Sequence, residues 1–399
     1  MNLIVEQSRQ LPISEQRIEI VERKGLGHPD TICDSIMNQI SIDLSKEYLK
    51  KFNMILHHNI DKALLAAGEA EHKFSGGVIK KPMLLVIGDR ATYVAGDENI
   101  FVDEIAISAA KRWFKENMRF VDPDEHVKYQ VELKQVSEAL SSIFKKGGDM
   151  LGANDTSAAV GYAPLSKTEK IVLDIEKFLN SKDFKKEFPE SGEDIKIMGL
   201  RTGDELNLTV AMAFIDRFID SEQTYFRRKG EIEEKIKQFL EKRGEFSKTS
   251  VGFNTLDEKG KGIDGIYLTV VGTCADAADS GQVGRGNMIN GVIPLNRPTS
   301  SEAAAGKNPV SHVGKIYNAL SFKIADEIYN KVSGLKEVYI WLLSQIGQPI
   351  NQPKIAAVQT ITDKTFDDSM KKQIEEIISS RLENIKEFCH DLALGKITI

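Results

Sequence analysis

Strand-like runs and helix-period runs alternate along the whole chain, and that alternation limits the fold more than any other feature of the sequence. Apolar residues recur at helical spacing in Ile32, Ile36, Ile40 and Leu44 after a turn at Pro29, which predicts a helix over about Thr31 to Lys51. The same reading predicts helices over Asp103 to Asn117, Lys167 to Asn180, Glu222 to Lys242, Val313 to Val332 and Asp367 to Phe388. Ser166 and Glu169 have the spacing of a capping box at the start of Lys167 to Asn180. Strand-like runs are Arg17 to Val21, Met83 to Ile87, Val127 to Leu133, Ile195 to Met198, Leu206 to Phe214, Ile266 to Val271, Val338 to Leu343 and Ile355 to Ile361. From Ala158 the order is strand, helix, two strands, helix, strand. From Ile266 it is strand, long loop, helix, two strands, helix. The fold class expected is therefore α+β with a repeated unit, and 399 residues exceed what one core usually organises.

The balance of charge narrows the partners. A net charge of −6 gives no electrostatic footprint for nucleic acid or an anionic membrane, so any polyanion site must be local. Three cysteines, Cys33, Cys274 and Cys389, without CxxC spacing argue against a disulfide framework or structural zinc and suit a reducing cytoplasm. The expectation is neither export nor a membrane span, since the longest apolar runs, such as Met83 to Ile87, are far too short.

Three segments could carry chemistry. In Glu22-Arg23-Lys24-Gly25-Leu26-Gly27-His28-Pro29-Asp30 a strand passes through two glycines into a helix start. Free N–H groups, the helix dipole and nearby cations there could hold phosphate, with Asp30 holding magnesium. The plainer reading is that Asp30 caps the helix. Ala275 to Ser311 is long and without periodicity, rich in Gly, Ala, Ser, Asn and Pro. It carries Asp276, Asp279, Arg285, Arg297, Glu302 and Lys307, with His312 just beyond, and its small residues permit close backbone approach to a ligand. A solubilising surface loop is the alternative. In Gly152-Ala153-Asn154-Asp155-Thr156-Ser157, Asp155 could bind a nucleoside or metal, or serve a local Asx-type turn. His57 and His58 are adjacent, point to opposite faces if in a strand, and read as structural. The spacing of the glycines is neither Walker A nor a dinucleotide fingerprint, and there is no GxSxG or HExxH.

Together, Glu22 to Asp30, Ala153 to Ser157 with Gly161 to Ser166, Val283 to Asn287 and Glu302 to Tyr317 resemble archaeal-type S-adenosylmethionine synthetases (methionine adenosyltransferases) over nearly the whole chain. The resemblance implies three similar α+β domains around a pseudo threefold axis with the chain partly interleaved, here about 1–135, 136–262 and 263–399, the last with an active-site loop at 275–311. It implies a homodimer with active sites at the subunit interface, ATP and L-methionine as substrates, and Mg2+ and K+ as cofactors. Carried over by position, His28, Arg285 and Lys307 are expected to be catalytic. Lys24, Gly27, Asp30, Asp155, Asp279 and His312 are expected to bind ATP or its triphosphate, Asp30 also the metal, and Glu69, after Gly68, the methionine. Departures from the family pattern are Lys134 to Ala139, where a glycine-rich loop is expected, Ile60 and Lys62 in place of threonine and glutamine, and Ser280 in place of an acid. The missing glycines leave open a nucleotide-binding homologue without catalysis. The reaction expected is attack of the methionine sulfur on C5′ of ATP, which needs alignment and stabilisation of departing triphosphate rather than a base. The triphosphate is then hydrolysed to phosphate and pyrophosphate.

Overall fold

The computed structural model describes residues 2–136, 152–397 and 399. Ser137, Glu138 and Ala139, within the departure noted at 134–139, lie outside the described residues.

The described residues form three larger sheets, each with one face covered by helices. In the first, β3 (His58–Ala66), β4 (Met83–Ala91) and β5 (Val127–Gln135) pair in that order. They pack on α1 (Pro29–Phe52) and α2 (Val102–Asn117). The stripe Ile32, Ile36, Ile40 and Leu44 is fully buried there, each side chain contributing roughly 1.5–3 kcal/mol. In the second, β2 (Ile18–Lys24), β7 (Ser191–Thr202), β8 (Glu205–Ile215) and β9 (Lys248–Phe253) pack on α3 (Lys167–Leu179) and α5 (Glu222–Arg243). The short α4 (Lys182–Glu187), which the sequence pattern did not reveal, adds Phe184 to that core. In the third, β1 (Asn2–Gln7), β6 (Ala158–Ala163), β12 (Leu335–Leu343) and β13 (Ile355–Thr362) pack on α6 (Val313–Lys331), α7 (Asp368–Glu383) and α8 (Ile385–Ala393).

Chain order does not follow sheet order. β1 runs parallel to β13 at the far end of the chain, with Leu3 opposite Ala356, while β2 joins the second sheet antiparallel to β7. β6 returns to pair with β12 in the third. The long loop lends β10 (Gly281–Gln282) to β3 and β11 (Ile293–Pro294) to β2 before entering α6, so it touches all three sheets.

Several expectations needed correction. Ile266 to Val271 is reduced to a strand of Leu268–Thr269, because the chain turns at once into the fixed loop around Asp276, whose carboxylate accepts from the Val270 N–H at 2.6 Å. The last helix is broken at Asn384 into α7 and α8. β1, β3 and β9 carry no sufficient alternation of their own and are strands because of their partners. The capping box at α3 is present in both halves: Ser166 Oγ accepts from Glu169 N–H at 3.0 Å, and Ser166 N–H donates to Glu169 at 2.6 Å.

Candidate active site

The glycine turn is an extension of the second sheet. Beyond Lys24, Gly25 N–H donates to Ile195 O at 2.7 Å and Gly27 N–H to Glu193 O at 2.9 Å. A Cβ on Gly27 would lie 2.4 Å from Asp194 N, and one on Gly25 2.4 Å from Ile195 O, so glycine is needed there for packing on β7. The two N–H groups that a free glycine turn would offer to phosphate are therefore taken. His28, not Asp30, is the N-cap of α1: its Nδ1 accepts from Asp30 N–H at 3.2 Å, which leaves the proton on Nε2. Burial pushes the His28 imidazole down to about 4, helped by Lys24 and Lys196 and opposed by Asp30 and Asp279. Near pH 7 His28 is thus a neutral hydrogen-bond donor.

The loop is stitched onto this helix start. Asp30 Oδ1 accepts from Gln282 N–H at 2.8 Å, and one helical turn later Asp34 Oδ1 accepts from Gly284 N–H at 2.7 Å. Lys24 Nζ bonds both Asp30 Oδ2 at 2.9 Å and Arg285 O at 2.6 Å, and the Asn287 amide bonds Lys24 N–H and O at 3.0 and 2.7 Å. The small residues serve this contact: a Cβ on Gly281 would lie 2.2 Å from the Pro29 carbonyl carbon. Arg285 itself is exposed, and among the described residues its guanidinium has no ion-pair partner. A cavity of about 510 Å³ opens beside His28 and Asp279, with Asp194, Lys196 and Tyr267 in its wall. Lys196 and Asp194 were not singled out from the sequence, because a charged residue in a strand carries no motif. Burial holds Asp194 up at about 6, and it accepts from Cys274 N–H at 2.9 Å.

The other expected residues gather elsewhere in the chain. Lys307 Nζ is buried between Asp61, at 2.9 Å, and Glu302, at 3.0 Å. Burial opposes ionisation of Asp61, but Lys307 holds its carboxyl well below the usual range. Ser41 Oγ and the fully buried Lys315 Nζ donate to Lys307 O, at 3.1 and 2.8 Å, and burial lowers Lys315 to about 7. His312 caps α6 by accepting from Gly314 N–H, and burial with Lys307 beside it lowers it to about 3. Asn154 N–H donates to Ser311 O, which brings Asp155 to this group, and Asp155 Oδ1 accepts from Thr156 N–H at 2.7 Å in a local turn. Glu302 lines a second cavity of about 480 Å³ with Asp34 and Gly284. Ser41, which bonds the Lys307 carbonyl, is thirteen residues along α1 from His28, about 20 Å of helix, and neither of these two cavities is lined by both His28 and Lys307. Glu69 is exposed and pairs with Lys81 at 2.5 Å, while Gly68 N–H donates to Ala275 O at the base of the loop. Ser280 Oγ accepts from Ala67 N–H at 3.0 Å.

The loop's cations differ in their surroundings. Arg297 is buried and bonds Glu169 through two nitrogens, at 2.9 and 3.0 Å, and Tyr339 at 2.9 Å, so it belongs to the core rather than to a ligand. His58 is likewise internal, bonded to Ser41 at 2.8 Å. The three cysteines are buried and unpaired, and among the described residues no helix is long and apolar enough to cross a membrane.

Known proteins resemble this chain throughout. The family model for S-adenosylmethionine synthetase (AdoMet synthetase) matches residues 1–396. An S-adenosylmethionine synthase of Thermococcus onnurineus is 47% identical over 100% of this chain and 98% of its own length, and one of Hyperthermus butylicus 43% over 100% and 99%. A probable S-adenosylmethionine synthase of Aquifex aeolicus is 42% identical over 97% and 96%. The solved structure of an unusual S-adenosylmethionine synthetase from Campylobacter jejuni superposes with a TM-score of 0.62 over 95% of this chain and 94% of that one; at 15% identity it speaks for the fold alone. With a family match from the first residue to the last helix, this chain belongs to the S-adenosylmethionine synthetases, the enzymes that transfer the adenosyl group of ATP to the sulfur of methionine and release triphosphate.

Proposed function

We propose that the reaction runs in the cavity beside His28, completed by a second copy of the chain that contributes Lys307, His312 and Asp155. The observation that carries this reading is the single unit made by the turn at 24–30 and the loop at 279–287, bordering a cavity that His28 and Asp279 share. The separation of Lys307 from that cavity within one chain supports a homodimer with the site at its interface. The three helix-backed sheets support the arrangement of three similar domains, divided at about 135 and 262 apart from the interleaved strands.

Asp30 Oδ2 lies 4.0 Å from His28 Nδ1, and Asp279 lines the same cavity as His28, so two carboxylates stand near the proposed place of the phosphates. That donor set suits a magnesium ion arriving on a polyphosphate, which keeps most of its ligands from phosphate and water. Held by Asp30 and Asp279, magnesium would supply charge neutralisation of the triphosphate; potassium is its proposed monovalent companion. The chain's own part is to align sulfur with C5′ and to meet the leaving group with fixed donors: neutral His28 through Nε2, Arg285 through its exposed guanidinium, and Lys307 from the second copy. No base is needed, because the thioether is already nucleophilic. Lys24 releases Asp30 as phosphate arrives, Gly27 places His28 against β7, and Glu69 lies on the methionine side. Unpaired cysteines suit a reducing cytoplasm. Mass spectrometry after incubation with ATP and methionine is expected to give the sulfonium product with phosphate and pyrophosphate. Lys307→Ala is expected to lower turnover on the order of a hundredfold. A folded variant with unchanged turnover would remove Lys307 from the site.

A further inference from the structure

Arg285 stands exposed on a backbone held at several points, and those points differ in what else they must do. Lys24 and Asp30 are themselves offered to the triphosphate and its metal, so the contacts they make with the loop, at Arg285 O and Gln282 N–H, are open to competition once substrate is bound. Asp34 is free of that duty. It stands one turn further along α1 on the same face as Asp30, and the roughly 6 Å between adjacent turns matches the step between alternate residues of an extended chain. Its Oδ1 therefore takes the N–H of Gly284, the residue before Arg285. The N–H of Gly286, the residue after it, also acts on the Asp34 carboxylate, and a Cβ on Gly286 would lie 2.1 Å from Asp34 Oδ2. Gly284 has φ +84, a conformation that leaves the chain at this point without intrinsic preference for one path.

We infer that Asp34 is a positioning residue for the reaction: by gripping the loop on both sides of Arg285 it keeps that guanidinium aimed at the departing triphosphate while Asp30 and Lys24 are engaged by substrate. The inference rests on the role proposed for Arg285. It is tested on the full-length enzyme by measuring kcat and KM for Asp34→Ala, Asp34→Asn, Gly286→Ala, Arg285→Ala and the double variant Asp34→Ala with Arg285→Ala. Asp34→Ala is expected to lower kcat about tenfold or more with KM for methionine changed less than about threefold. Asp34→Asn, which keeps an acceptor for Gly284, is expected to lose less. Gly286→Ala displaces the carboxylate without removing it and is expected to lower kcat like Asp34→Ala, a check that holds if Asp34→Ala fails to fold. The double variant is expected to be no slower than Arg285→Ala alone, because both substitutions remove one interaction. Additive losses, or an Asp34→Ala enzyme of ordinary turnover beside an impaired Arg285→Ala, would overturn the inference and spare the role of Arg285. Ordinary turnover in Arg285→Ala would overturn that role and the inference with it.

Discussion

Arg297→Met removes a cation from between two buried carboxylates while leaving the loop's length and most of its volume unchanged. The Arg297 side chain is 1% exposed, Glu169 0% and Glu337 5%, and the guanidinium lies 2.9 and 3.0 Å from the Glu169 oxygens and 3.5 Å from Glu337. It also stacks on the Tyr162 ring, 4.1 Å from its centroid. Removing one partner of such a pair leaves charge without water or counter-charge and costs about 3–5 kcal/mol. An unfolding entropy of about 2.1 cal/mol/K per residue makes 1 kcal/mol worth roughly 1.2 °C in a chain of this length, so the melting temperature should fall by about 4–6 °C. Burial already raises Glu337, and without Arg297 it should rise further. The penalty on Glu337 then applies above its folded pKa and is relieved below it, so the deficit should be smaller at about pH 5 than at about pH 8. Arg285→Met is the control from the same loop: exposed, it should move the melting temperature by less than about 1 °C and instead lower turnover. Differential scanning fluorimetry and a turnover assay on both variants decide the matter. A fall below about 1 °C for Arg297→Met, or equal falls for both, would refute the division of the loop's cations into core and site.

Other outcomes follow from the same geometry. In carbon-13 labelled protein the His28 ring should titrate near pH 4 rather than 6.5, assigned by its loss in His28→Asn. Because that pKa is depressed by folding, its contribution to stability is present above 6.5 and is lost as pH falls from 6.5 to about 4. The loss should be on the order of 1.4 kcal/mol for each pH unit of that window, and an inflection near 6.5 would contradict the buried, neutral cap. Gly281→Ala should lower both stability and turnover, since its Cβ meets the backbone of Pro29 at 2.2 Å, whereas Gly230→Ala, in α5 with nothing within 4 Å, should stabilise by about 0.5–1 kcal/mol in chemical denaturation.

Local order determined what the sequence could announce. The stripe from Ile32 to Leu44, the capping box at Ser166 and the strand, helix, strand order after Ala158 depend on neighbours within a few residues, so their periods and caps are written in the chain itself. The same holds for the family motifs, whose residues are contiguous. Partners far along the chain decided the rest. β1 is a strand because β13 lies beside it about 350 residues later, and the glycines at 25, 27, 281 and 286 are small because β7, Pro29 and Asp34 press on them rather than because phosphate does. Arg285 and Arg297 are the same residue type twelve positions apart, and only the packing of α3 and β12 around one of them makes it a core ion pair while the other stays exposed. Burial and hydrogen-bond partnership belong to the folded surroundings of a side chain, and those are set by the whole tertiary structure, not by the residues next to it.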